Sequence, residues 1–265
     1  MLSPTIPVAA DLSRLVLPCW SQEKHDGVGG LVCPSDGLHT KEGRPLPNRQ
    51  VRAFLSQRAL WGLHGELTAP GGFEAAQSAF MGSAPPPPGW RFRVFDLAQS
   101  SMPFAQRLAR ARQMVDSLGA QDTVQISPAR SHRSLDSVQD ALAEVVGRGG
   151  EGLVLHAGSW GYREGRASVT RGEALKLKPT DEIEATILAV TPREDDADAV
   201  GAVTLTSGGQ VFSAPVAMSR ALAARLWTLR ANLPGRPGTV RHMGRTKNGV
   251  PRGAVFIGVR RDLAA

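Results

Sequence analysis

Cysteine is scarce in this 265-residue chain, where Cys19 and Cys33 are the only two. Two thiols cannot complete a zinc site by themselves, and nothing in the sequence marks an oxidising compartment. They read as buried free thiols, and no metal centre rests on them. Long apolar runs are missing as well. No stretch approaches the roughly 20 residues that span a bilayer, and the amino-terminal "MLSPTIPVAADLSRLVLPCW" has no basic start followed by an apolar core. These absences argue against a disulfide scaffold and a helical membrane protein. They lead to the expectation of a soluble, cytoplasmic protein with no membrane partner. No internal repeat is visible.

What is present is a globular composition, 42% hydrophobic and 21% charged, enough for one large domain or two modest ones. The 31 Lys and Arg exceed the 24 Asp and Glu, for a formal charge of +7 and a pI near 10.2. Such a balance permits a polyanionic partner, because each cation placed on a phosphate releases a condensed counterion. One cluster is more distinctive than the total. "VRHMGRTKNGVPRG" sets Arg241, Arg245, Lys247 and Arg252 around an Asn-Gly turn, which suits a basic hairpin.

Apolar alternation predicts strands near 27–33, 60–67, 91–97, 122–127, 152–157 and 174–178, with "PPPPG" at 85–89 as an irregular loop. "MPFAQRLARARQMVDSLG" has helical spacing and ends in Gly119, and "SLDSVQDALAEVVGRGG" opens with a Ser134 cap and closes in glycines. From Asp181 the texture changes to short strands, "EATILAVT", "GAVTLTS", "QVFSAP", "GTVRHMG" and "AVFIGVR", with one helical segment, "SRALAARLWTLR". That count suits a small five-stranded barrel of the oligonucleotide-binding type. The expectation is an α+β chain in two domains, 1–180 and 181–265, with the boundary near Pro179 to Glu182.

"SQEKHDGVGG" places Lys24 two residues before Asp26 in a glycine turn. A lysine that attacks phosphorus must be neutral and held in line, which a tight turn and a nearby carboxylate can arrange. The motif is short, and a surface turn is its default reading. Order changes the odds: "LWGLHGEL" with Glu66, "FRVFDL" with Phe95 and Asp96, "EGLVLH" with Glu151 and "ALKLKP" with Lys176 and Lys178 follow in sequence. This series resembles the ordered motifs of the covalent nucleotidyltransferases, and most of all a minimal two-domain ATP-dependent DNA ligase. The resemblance covers nearly the whole chain.

The resemblance implies a nucleotidyltransferase domain of antiparallel sheets with helices, followed by an oligonucleotide-binding barrel. It implies that Lys24 attacks the α-phosphate of ATP and carries AMP, while Asp26 helps organise metal and 3′-hydroxyl. Glu23, Lys41, Glu66, Phe95, Glu151, Lys176 and Lys178 would hold the nucleotide, Phe95 by stacking on adenine. Glu151, Asp26 and Glu66 would hold Mg2+, or Mn2+ in its place. Arg163 and Arg166 in "YREGRAS", with Arg245, Lys247, Arg252 and Arg260, would grip nicked duplex DNA, and the protein would act as a monomer. NAD use is not expected, since the chain has no room for the modules that NAD-dependent ligases add. Two departures stand out: Gly29 replaces the usual basic residue five positions after the nucleophile, and "TKEG" replaces Ser/Thr-Arg-x-Gly, with Lys41 or Arg44 in the arginine's role. The alternatives are an RNA ligase or capping-type nucleotidyltransferase, and a non-catalytic nick-binding protein of the same fold.

Overall fold

A computed structural model describes residues 4–10, 12, 15–34, 36–98, 101–119, 122–246 and 248–259. The chain forms two compact units that part between Lys178 and Pro179. Among the described residues no helix is long and apolar enough to cross a membrane.

The first unit is built on two five-stranded sheets. One has the order Gly37–Thr40, Val28–Cys33, Leu63–Thr68, Arg91–Leu97, Val124–Ile126. Its pairs are antiparallel except the last. Alternation decides its faces. Val28, Leu67, Phe92 and Val124 stand in one cross-strand row and pack into the apolar core, while Gly29, Glu66, Arg93 and Gln125 form the next row on the opposite face. The other sheet has the order Val8–Ala9, Leu175–Leu177, Leu153–Ala157, Cys19–Glu23, Ala129–His132. The helix Leu135–Gly147 buries Val138, Ala141 and Val145 with this sheet's core, at spacings of three and four that fit one helical face. Ser134 caps it, its side chain accepting from Ser137 N at 3.3 Å.

The sequence reading missed several short elements. The strands Cys19–Glu23, Gly37–Thr40 and Ala129–His132, and the helices Arg49–Leu55 and Gly72–Met81, were not anticipated. Each is ten residues or fewer. Such segments span too few periods to declare themselves locally, and pairing or packing stabilises them instead.

The second unit is one five-stranded antiparallel sheet in the order Gln210–Pro215, Asp196–Ser207, Asp181–Arg193, Pro237–His242, Val255–Val259, with the helix Arg220–Thr228. The first two strands in sequence run longer than the alternation predicts. They pair as far as Arg193 and Asp196, so the charged "REDDAD" stretch forms the hairpin end. Ile187, Val200, Val203, Leu205, Val240 and Phe256 are fully buried at the centre. A parallel bridge joins Val216, just past one edge strand, to Phe256 on the other.

Candidate nucleotide site

Two strands carry the lysine to its place. Cys19–Glu23 ends immediately before Lys24, and Val28–Cys33 begins four residues after it in the facing sheet, so the lysine lies on the crossing loop. The loop is tied down by Lys24 N donating to Gly152 O at 2.9 Å. That anchor brings in the residue before the strand Leu153–Ala157. Lys24 Nζ meets Glu151 Oε2 at 2.5 Å, and Lys178 Nζ donates to Glu151 Oε1. One carboxylate is thus held between two ammonium groups, each roughly four-fifths buried. Burial acts to raise the Glu151 carboxyl, but hydrogen bonds from Lys178 and Lys24 outweigh it and hold it below its ordinary value.

Beside this clamp opens a cavity of about 440 Å³ lined by Lys24, Glu66, Phe95, Val154 and Lys176, among others. Two residues apart, Lys176 and Lys178 would share one face of a continuous strand. In the structure the strand stops at Leu177; Lys176 lines the cavity and Lys178 instead reaches Glu151. Burial drives the Glu66 carboxyl up to about 7, against the attraction of Lys24 and a hydrogen bond from the Gly27 amide. Gly29 lies opposite Glu66 in the ladder, and a Cβ there would stand 3.0 Å from Glu66 Oε2. At the position where the motif departs, a larger residue would require the Glu66 carboxylate to shift.

Phe95 owes its position to a bulge. His64 pairs with Asp96 and Gly65 with Val94, so Phe95 is the extra residue between them. A bulge re-aims side chains. Here Phe95 and Asp96 both line the cavity, and the Phe95 ring lies 4.4 Å from that of His64. Beneath them is a buried polar network of which the sequence reading named only Asp96. Arg107 donates to Asp96 through Nε at 2.7 Å and NH2 at 2.9 Å, both residues nearly inaccessible. Tyr162 OH lies 3.2 Å from His64 Nδ1. His156 stacks on Phe104 with centroids 4.1 Å apart and planes within 5°. Burial lowers His64 and His156 to about 4, so both rings are neutral at pH 7.

No family model and no curated protein matches the sequence. Solved structures match it over nearly its full length. A Lig E DNA ligase superposes with a TM-score of 0.70 at 22% identity, covering 98% of this chain and all of its own. Chlorella virus DNA ligase-adenylate does so at 0.62 and 19%, over 98% of this chain and 99% of its own. The ATP-dependent DNA ligase of bacteriophage T7, in complex with ATP, gives 0.54 and 15%, over 97% and 98%. This chain has the DNA ligase fold.

Within the ligase fold the remaining sequence-predicted residues fall as follows. Asp26 is exposed on the loop beyond Lys24 and acts electrostatically on Glu66. Glu23 lines the cavity, but its carboxylate accepts from Arg148 NH2 at 2.6 Å, at the end of the Leu135–Gly147 helix. Lys41 is exposed at the cavity rim, 3.7 Å from Glu42, and Arg44 is exposed three residues on. Arg163 and Arg166 are exposed, Arg163 Nε donating to Arg166 O at 2.7 Å. In the second unit the basic stretch folds back on itself, with Arg245 bridged to Pro251 and Gly249 at φ +78° in its turn, leaving Arg245 and Arg252 exposed. Lys247 and Arg260 lie outside the described residues. Sequence reasoning quoted "LWGLHGEL" and "EGLVLH" for their glutamates and passed over His64 and His156 in the same words. A lone strand histidine carries no local signal of a site.

Proposed function

We propose that this chain is an ATP-dependent DNA ligase that seals 3′-hydroxyl/5′-phosphate nicks in duplex DNA through a lysyl-AMP intermediate. The observation that carries this reading is the Glu151 clamp on Lys24 at the edge of a cavity walled by Phe95, Glu66 and Lys176. It is an amine nucleophile beside a compartment of nucleotide size and chemistry. Phe95 offers a flat apolar face to adenine. Lys176 and Lys178 supply charge for the phosphates, and transfer of a phosphoryl-linked group needs little beyond positioning and neutralisation.

In the first step Nζ of Lys24, having lost a proton, attacks the α-phosphorus; the N–P bond forms as the bond to pyrophosphate breaks. AMP then passes to the 5′-phosphate of the nick, and the 3′-hydroxyl displaces it. Asp26, exposed at the loop, is the carboxylate suited to orient that hydroxyl. Glu151, Asp26 and Glu66 are hard oxygen donors, and the charges of Lys24, Asp26 and Glu151 all act on Glu66. Among the described residues no three such side chains form a metal cage by themselves. An ion there would be held by one or two of these carboxylates and completed by substrate phosphates and water. Bound there, Mg2+ would oppose the charge that develops on the phosphate oxygens.

The first unit serves as the adenylation domain in this reading. In the same reading the second unit is of the oligonucleotide-binding barrel type, which its five antiparallel strands, its one helix and the isolated Val216–Phe256 bridge support.

Lys24→Arg is the test. Arginine keeps charge and approximate length but stays protonated, so it has no lone pair for phosphorus. The variant is expected to form no covalent adduct with labelled ATP on denaturing electrophoresis, yet to seal a nick that already carries a 5′-adenylate. An adduct that persists in Lys24→Arg would move the nucleophile elsewhere.

A further inference from the structure

The cavity wall formed by the strands Cys19–Glu23 and Leu153–Ala157 carries two polar atoms without partners, Gln22 Oε1 and His156 Nε2. Both residues are 2% exposed, and both line the cavity. Both atoms are acceptors. Gln22 directs its Nε2 to Ser127 O at 3.0 Å, which leaves the amide oxygen over. His156 Nδ1 lies 2.9 Å from Glu173 O. A carbonyl only accepts, so Nδ1 carries the hydrogen and Nε2 keeps its lone pair. Burial keeps the ring neutral, and the Phe104 stack restrains its orientation.

A buried acceptor left unpaired is more unfavourable than a made hydrogen bond is favourable. This wall therefore suits a ligand that brings a donor to it. Val154 stands two residues before His156 on the same strand face, and Phe95 lines the cavity from the other sheet. A flat base held between Val154 and Phe95 would turn one edge toward His156.

Resting on the nucleotide reading of this cavity, we infer that His156 Nε2 selects the nucleobase, accepting a hydrogen bond from the exocyclic 6-amine of adenine and opposing the 6-carbonyl oxygen of guanine. His156 is then a specificity residue that takes no part in the chemistry at phosphorus. Its removal is expected to change which triphosphate the cavity prefers.

The experiment measures equilibrium binding of ATP, GTP and purine riboside triphosphate, in which hydrogen replaces the 6-amine, to the full-length protein. Adduct formation is scored separately. Wild type is expected to bind the 6-hydrogen analogue about tenfold more weakly than ATP, the size of one hydrogen bond to a buried neutral acceptor. His156→Phe keeps a stacking ring without the lone pair, and in it the two affinities are expected to agree within about twofold, the residue of a single lost bond. His156→Gln, which restores an acceptor, is expected to recover part of the preference. Equal binding of the two triphosphates by wild type overturns the inference, as does a preference undiminished in His156→Phe or failure to bind any of the three. The wild-type comparison stands even where a substitution fails to fold. Selective binding of ATP with no adduct would overturn the ligase reading and leave base selection standing.

Discussion

At Glu66, burial and charge work against each other, and burial prevails. Its carboxyl titrates near 7 where an ordinary glutamate would titrate near 4.5. An acid whose pKa is raised by folding favours the fold most when protonated. Its contribution is complete below about 4.5 and is lost as the pH rises through about 7. Glu66→Gln removes that penalty. The variant is expected to match wild type in thermal stability at pH 4.5 and to exceed it at pH 8, by on the order of 1 kcal/mol after allowance for partial exposure. A stability difference that does not vary with pH would mean that Glu66 titrates as an exposed glutamate does. The same residue faces the departure at Gly29, where a Cβ would stand 3.0 Å from the flexible end of its carboxylate. The sequence displayed that departure plainly but could not say what faced it, because Gly29 and Glu66 meet only through strand pairing.

Among the elements, the strand Leu153–Ala157 holds the site together. It pairs with Cys19–Glu23 on one side and Leu175–Leu177 on the other, so the segments bearing Lys24 and Lys178 both depend on it. Gly152, at its start, has φ +143°, and a Cβ there would stand 2.3 Å from Leu177 O. Its own carbonyl accepts from Lys24 N. Gly152→Ala is therefore expected to lose more than about 2 kcal/mol of stability in chemical denaturation, through strain and the backbone clash. Adduct formation should fall with it, because Glu151 immediately precedes this residue. Stability within about 0.5 kcal/mol of wild type, the range of an ordinary surface change, would show that the close approach relaxes easily. The sequence reading found this strand by alternation and the nearby Glu151 by its place in the ordered motif series. It could not find the bulge at Phe95, because a one-residue slip between paired strands leaves no trace in either strand alone.

For the whole molecule, the excess of positive charge bears on DNA. If the folded-back basic stretch of the second unit contacts phosphates, neutralising Arg245, Lys247 and Arg252 together removes up to three contacts. Each phosphate contact contributes about 0.9 to the slope of log K against log salt. The triple variant is expected to bind a nicked duplex more weakly and to lower that slope by about 2 to 3, read by titration across a salt series. An unchanged slope would take this hairpin out of the interface. Arg163 and Arg166, exposed in the first unit, would then be the next residues to neutralise.

By itself the sequence determined what depends on near neighbours: the alternating strand segments, the Ser134-capped helix, the Asn-Gly turn and the order of residues from Lys24 to Lys178. Period, capping and turn chemistry act within a few residues, so they can be read along the chain. The tertiary structure decided which of those residues meet. Glu151 lies 127 positions from Lys24 in the chain and 2.5 Å from it in the fold. His156 acquires its tautomer from a carbonyl 17 residues away and its orphan acceptor from burial between two sheets. Contacts of that range follow from strand register and burial, which are properties of the folded whole.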